Sequence, residues 1–298
     1  MSKKVLYLHI GWSKTGTSAI QAQLDQQFEG LKSQGILYSK AMQMNDHAHH
    51  HFALAFSAIH GYPAKYTIEE VIDIVDNEML NNRCESLLIS TELSPFYFND
   101  SKFCNWIKRF DEIKIIATVR RQSELLLSLF NQLVKDPQVR YKGTFYQLAI
   151  SHFPKVNFFS HITRWASKIG DNNIVIINYD NGVVAEFLKY FSLDIEDDLA
   201  ATIVNPSLPN SALTLLQKQT VNVSDASVYQ KIRDDLVDSL NKSQINLQDV
   251  FIHKGELQVI DNHFKHSNDL LASKFLNVNS LFNSKNYTDI MTFKELTK

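Results

Sequence analysis

Leu8-His9-Ile10-Gly11-Trp12-Ser13-Lys14-Thr15-Gly16-Thr17-Ser18 is the stretch on which the reading of this chain turns. The apolar run Val5–Ile10 that leads into it reads as a buried strand, and Thr17 opens a segment patterned as a helix. A glycine-bearing loop between a strand and a helix start is a layout for binding phosphate, because backbone N–H groups and the helix N-terminus face the anion. Gly11 and Gly16 have the G-x-x-x-x-G spacing of a Walker A loop, but that motif continues with Lys and then Ser or Thr. Here Thr17 and Ser18 follow, and Lys14 lies inside the loop. The expectation is an anion site supplied by Lys14, Thr15, Gly16, Thr17 and Ser18, and not an ordinary ATPase or GTPase loop. The plainer alternative is a strand-to-helix turn in which Thr17 caps the helix.

Working outward, the chain alternates short apolar runs with amphipathic stretches. Strands are expected at Val5–Ile10, Ile36–Tyr38, Leu87–Ser90, Lys114–Val119 and Ile174–Asn178. Runs such as Ile115-Ile116-Ala117-Thr118-Val119 suit strands covered on both faces. Helical patterns fall at 17–33, 68–81, 102–110, 122–134, 158–168 and 183–191. The alternation predicts an α/β fold with a P-loop-like parallel sheet flanked by helices. After the loop Asn205-Pro206-Ser207-Leu208-Pro209-Asn210, helical patterns at about 212–221, 228–240 and 257–276 predict a helical C-terminal extension. With no flexible linker in view, residues 1–298 are expected to form one domain, with a core of about 3–210 and an extension of about 211–298. The last stretch is polar and expected to be poorly ordered.

Composition narrows the function. The chain has 298 residues, 44% of them hydrophobic, enough for a large buried core. Its formal net charge of −2 argues against a protein that coats nucleic acid, so an anion site has to come from local placement of Lys and Arg. Two cysteines, Cys84 and Cys104, imply neither a disulfide framework nor a Cys-rich zinc site and fit a reduced, cytoplasmic protein. Lys3 and Lys4 before an apolar run look briefly like a signal peptide, but the run is shorter than the ~7–15 residues of a signal core. No membrane span is expected, and oligomeric state is not readable.

In a doubly wound sheet, ligands sit at the carboxyl ends of the strands, where three further groups fall. Arg120-Arg121 follows Lys114–Val119, with Ser128 eight residues after Arg120 on the next helix. A guanidinium fork suits phosphate oxygens, and a hydroxyl would add to it; the alternative is a pair of arginines meeting solvent or Glu124. Glu92, just after Leu87-Leu88-Ile89-Ser90-Thr91, could act as a general base, or could be a carboxylate at a helix start. It also stands where a Walker B acid would, which keeps a kinase or hydrolase reading open. His47, His49, His50 and His51 have no zincin-type partner spacing, so no metal is expected. His9 reads as a hydrogen-bonded core residue.

Taken together, these residues resemble the sulfotransferase family that uses 3′-phosphoadenylyl sulfate. Lys14-Thr15-Gly16-Thr17-Ser18 is similar to that family's Lys-Thr-Gly-Thr 5′-phosphosulfate loop, and Arg120 with Ser128 to its 3′-phosphate motif. The opening His9-Ile10-Gly11 before the loop is closest to the bacterial branch. Residues 158–180, with Trp165, Gly170 and Tyr179, are similar to the family's later helix-strand unit, and the likeness covers about residues 3–210. Where cytosolic animal enzymes end a strand in Lys-x-His, this chain has Ser90-Thr91-Glu92, as in bacterial and carbohydrate-sulfating members. The resemblance implies 3′-phosphoadenylyl sulfate as co-substrate, without metal. It also implies Lys14 at the bridging oxygen, Thr15–Ser18 at the 5′-phosphate, Arg120 and Ser128 at the 3′-phosphate, Tyr179 at adenine and Glu92 as base. The acceptor would be a small molecule or glycan, and a saccharide hydroxyl is expected. It would lie among loops near 40–66, 93–100 and 136–160, with His49 and His50 on that side. Phe52, Tyr62, Tyr66, Phe96, Tyr97, Phe98, Tyr141 and Tyr146 could stack on sugars there or be core. A nucleotide-binding protein of this fold without catalysis is the other reading.

Overall fold

The computed structural model describes residues 3–44, 46–56, 63–93, 101–194, 210–243 and 254–285. Five strands, β1 (Val5–Gly11), β2 (Ile36–Tyr38), β3 (Ser86–Thr91), β4 (Glu112–Val119) and β5 (Ile174–Asn178), form one parallel sheet in the order β2-β3-β1-β4-β5. Parallel pairing needs crossovers, which the helices lying between strands in the chain supply; twelve helices accompany the sheet among the described residues. They are α1 (Thr17–Gln26), α2 (Phe28–Ser33), α3 (His50–Phe56), α4 (Ile68–Asn82), α5 (Ser101–Trp106), α6 (Gln122–Lys135), α7 (Phe145–His152), α8 (Phe158–Ile169), α9 (Val183–Tyr190), α10 (Asn210–Gln219), α11 (Ala226–Ser243) and α12 (Lys254–Leu276).

The chain divides into two compact units. The first holds residues 1–120, 158–202 and 267–281, and so the entire sheet. Leu6, Leu8 and Ile10 of β1 are buried, each contributing about 1.5–3 kcal/mol by leaving water. On one face, Ile20, Leu24, Leu88, Ile116, Ile177 and Phe187 join a single apolar cluster. Successive connections leave β1 toward β3 and β2 but leave β4 toward β5. The order therefore reverses between β1 and β4, where such sheets open a crevice at their carboxyl ends.

The second unit holds residues 121–157, 203–266 and 282–298. Phe130 packs edge-on against Tyr141 and Phe145. Gln217 Nε2 donates to the carbonyls of Tyr141 and Gly143, and the Tyr229 hydroxyl donates to the Val134 carbonyl.

The strands lie where the apolar runs place them, and two helical expectations change. The 17–33 pattern breaks into α1 and α2 at Gln27 (φ −83°, ψ 18°), whose side chain donates to the Asp194 carbonyl. The stretch 136–160, expected as loop, contains α7, started by a capping box in which Thr144 and Gln147 satisfy each other's backbone N–H. The 205–209 loop and the polar C-terminus lie outside the described residues.

Candidate active site

The loop after β1 is shaped by two left-handed residues and one close approach. Gly16 ends the loop at φ 86°, and a Cβ there would lie 2.6 Å from Val183 Cγ1. Lys14 also sits at positive φ, 74°, which costs a residue with a side chain about 1–3 kcal/mol and concentrates at functional loops. A Cβ on Gly11 would lie 2.3 Å from Thr17 Cγ2 and 2.8 Å from Thr118 Oγ1, so the strand end has to be glycine for α1 to start so close to it.

Two hydroxyls expected to bind phosphate are engaged elsewhere. The Thr15 N–H and Oγ1 both donate to the Trp12 carbonyl, at 3.2 and 2.7 Å, and Thr15 is fully buried. It shapes the loop and offers an anion neither group. Thr17 Oγ1 donates to Glu92 Oε1 at 2.5 Å. Gly16 caps α1 without a side-chain hydrogen bond, so the first-turn N–H groups, beginning with Thr17 and Ser18, are the donors a helix start leaves for an anion. Ser18 is exposed at this end.

Charged groups from four segments surround this turn. Arg120, directly after β4, donates to the Lys14 carbonyl at 3.2 Å, and its guanidinium lies 4.4 Å from the Tyr179 ring centre. Tyr179, directly after β5, also borders Gly16, whose added Cβ would lie 3.4 Å from its ring. Among the described residues the Lys14 ammonium makes no hydrogen bond or ion pair. Its pKa is lowered, first by burial and then by the Arg120 charge, while Glu92 pulls the other way. Two cations facing one carboxylate leave a positive balance that an anion would relieve.

Glu92, directly after β3, has its second oxygen 3.4 Å from His50 Nε2. His50 is held from the other side by Thr91 Oγ1, 2.8 Å from Nδ1, and Asp46 Oδ2 lies 3.6 Å from Nε2. The sequence put both residues near the site but not as a pair, since no spacing rule links positions 42 apart. The pairing comes from the start of α3 hydrogen bonding to β3: the His49 N–H donates to the Ser90 carbonyl at 2.8 Å, and the Ser90 N–H donates to His49 Nδ1 at 2.9 Å.

Other expected site residues lie elsewhere. His49 is fully buried beside Tyr38, ring centres 4.3 Å apart, and burial holds its pKa down at about 3. Its role is to dock α3 on β3, and the expectation of an acceptor-facing ring is corrected. Phe52 is fully buried among Phe56 and Trp106, so it is core. Tyr66 lies edge-on to His51, while Tyr146 is exposed on α7. Tyr62, Phe96, Tyr97 and Phe98 lie outside the described residues. Ser128 belongs to α6, in the second unit. Arg121 is no phosphate ligand: its guanidinium pairs with Asp261 at 3.3 Å, donates to the Asn283 carbonyl and covers the Phe282 ring. Among the described residues, no group of three or more His, Cys, Asp and Glu is placed to hold a metal ion, and no helix is long and apolar enough to cross a membrane.

No family model matches the chain, and no curated protein matches it. Solved structures give partial likenesses. A sulfotransferase from Alicyclobacillus acidocaldarius is 14% identical over 78% of this chain and 96% of that one, with a TM-score of 0.43. The sulfotransferase domain from the Curacin biosynthetic pathway is 13% identical over 88% and 97%, TM-score 0.40. Mouse sulfotransferase SULT7A1, complexed with PAP, is 17% identical over 67% and 62%, TM-score 0.35. Likeness this slight carries no functional weight, so function is read from the residues themselves.

Proposed function

We propose that this protein transfers a sulfuryl group from 3′-phosphoadenylyl sulfate to an acceptor hydroxyl, with a saccharide as the preferred acceptor class. The observation that carries the proposal is the Lys14 ammonium, half-buried, without a hydrogen bond or ion pair among the described residues and next to Arg120, at a loop whose helix start offers N–H donors. A γ-phosphate loop needs its lysine after the second glycine; this chain places it two residues before, where it can reach a bridging oxygen.

Glu92 accepts the proton of the acceptor hydroxyl, whose oxygen bonds to sulfur. As the sulfur–oxygen bond to the bridging atom breaks, its electron pair stays on the phosphate, and Lys14 stabilises that charge. The N–H groups at the start of α1 hold the 5′-phosphate, Arg120 takes the 3′-phosphate, and the Tyr179 ring borders the adenine. Ser128 is assigned to the 3′-phosphate by the sequence motif alone. His50, 3.4 Å from the free oxygen of Glu92, orients the base. The saccharide preference rests on the Ser90-Thr91-Glu92 strand end and its resemblance to carbohydrate-sulfating enzymes.

Calorimetry with adenosine 3′,5′-bisphosphate, and with ATP plus Mg²⁺ in parallel, tests the donor class. Binding of the first without the second is expected; the reverse outcome makes the protein a kinase or hydrolase. With labelled donor and a glycan panel, Lys14→Ala should lower kcat by about 10²–10³, the loss typical of one preorganised oxyanion contact. Undiminished transfer by that variant would remove Lys14 from the mechanism, and nucleotide binding without transfer to any acceptor would leave a binding protein.

A further inference from the structure

Beneath the loop, buried polar side chains from β1, the loop, α1, β3 and β4 form one chain whose proton directions follow from the Trp12 carbonyl and a neutral His9 ring. The Trp12 carbonyl can only accept, so the Thr15 hydroxyl donates to it at 2.7 Å. With its proton engaged there, Thr15 Oγ1 accepts from Thr118 Oγ1, 2.8 Å away. Thr118 has then given its own proton and accepts from His9 Nε2 at 3.3 Å. His9 Nδ1, lacking a proton, accepts from the Ser90 hydroxyl at 2.7 Å, and Ser90 accepts from Gln21 Nε2 at 3.1 Å. The register makes this possible, since His9 lies opposite Ser90 and Gly11 opposite Thr118, and side chains two apart share a face. His9, Thr15, Gln21, Ser90 and Thr118 are at most 1% exposed, so water does not substitute for any link. Burial holds the His9 pKa down at about 3, and the ring is neutral.

We propose that His9 is a positioning residue for the anion loop: through Thr118 it fixes the Thr15 hydroxyl on the Trp12 carbonyl and so holds Lys14 in its left-handed conformation. His9 touches neither donor nor acceptor. Its consequence for catalysis rests on the proposed sulfuryl transfer; its consequence for the loop does not.

Three measurements on the full chain decide it. Nitrogen-15 spectra of the wild type at neutral pH should show His9 protonated on Nε2 and bare on Nδ1; the opposite tautomer or a cationic ring overturns the chain of donors. Hydrogen exchange should report the loop directly. In Thr118→Val, which removes the middle hydroxyl, amides of residues 12–18 should exchange about ten-fold faster, while Thr118→Ser, which keeps it, should stay within about two-fold of wild type. Equal exchange in the two variants overturns the positioning role, even where the valine variant melts earlier. Affinity for adenosine 3′,5′-bisphosphate should fall with Val and return with Ser. A wild type that binds no such nucleotide removes the functional reading, and the spectra and exchange rates still decide the role of His9.

Discussion

Arg120 and Arg121 are neighbours with the same side chain, as are His49 and His50, and in each pair one member faces the candidate site while the other is locked into the interior. Arg120 sits over Tyr179 beside Lys14, and His50 sits against Glu92. Arg121 is held by Asp261, Asn283 and Phe282, and His49 by Ser90. At the crest of the sheet, these side chains gather around the anion loop and Glu92. In the interior the same groups hold elements together: Arg121 reaches Asp261, Asn283 and Phe282, and His49 ties the start of α3 to β3. Residue type therefore does not separate binding groups from architectural ones; what each side chain faces does.

The largest effect should come from breaking the interior member of the arginine pair. Arg121→Ala removes the guanidinium from Asp261 in a mostly buried setting, side chains 11% and 16% exposed, and removing one member of such a pair costs about 3–5 kcal/mol. Denaturant unfolding should show that loss, while affinity for adenosine 3′,5′-bisphosphate in the folded protein stays within about two-fold. A large loss of affinity with unchanged stability would reverse the assignment of the two arginines.

The interior histidines give the next effect, and its sign follows from their depressed values. His9 and His49 are held near 3 by burial, against an ordinary 6.5, so between these values the unfolded chain binds more protons than the folded one. Stability is full above about pH 6.5 and falls as pH drops toward 3. Each histidine contributes about 1 kcal/mol per pH unit there, so the two together should remove about 2 kcal/mol between pH 6 and 5. Asp25, whose burial pushes its pKa up but which Lys40 and Gln43 together hold below the usual carboxylate range, adds its loss only at lower pH. Unfolding free energies that stay flat from pH 7 to 5 would contradict the buried, neutral state of both rings.

Arg120→Ala should show the complementary pattern at a smaller scale. Loss of a charge-assisted contact to a phosphate costs about 1.5–3 kcal/mol, or roughly ten- to a hundred-fold in nucleotide affinity. Stability should change less than for Arg121→Ala, because Arg120 is only partly buried. Equal effects of the two substitutions on affinity would erase the distinction between crest and interior.

Much of this architecture is legible in the sequence, because strands buried on both faces leave continuous apolar runs such as Ile174–Asn178, which coincides with β5. The loop is legible too, since Gly11, Lys14 and Gly16 each stand where geometry restricts the choice. What the sequence hides is where each hydroxyl and imidazole points. Thr15 and Thr17 read alike as phosphate donors, yet one turns to Trp12 and the other to Glu92. His49 and His50 read alike as acceptor contacts, yet α3 turns one into the core. α7 escapes because its Thr144 capping signal follows a short polar stretch that reads as loop.

Ser128 offers the finest test of the same distinction, because the sequence motif alone assigns it to the 3′-phosphate. It lies partly buried on α6, and among the described residues its hydroxyl makes no hydrogen bond, so it is available to a ligand. A neutral hydroxyl contact to phosphate is worth about 1 kcal/mol, so Ser128→Ala should weaken adenosine 3′,5′-bisphosphate about five-fold. Adenosine 5′-phosphate, which lacks the 3′-phosphate, should bind the variant and the wild type alike. An equal loss for both nucleotides would mean that the substitution acts by disturbing α6, and no loss for either would place Ser128 with the interior residues that the motif resembles only by spacing.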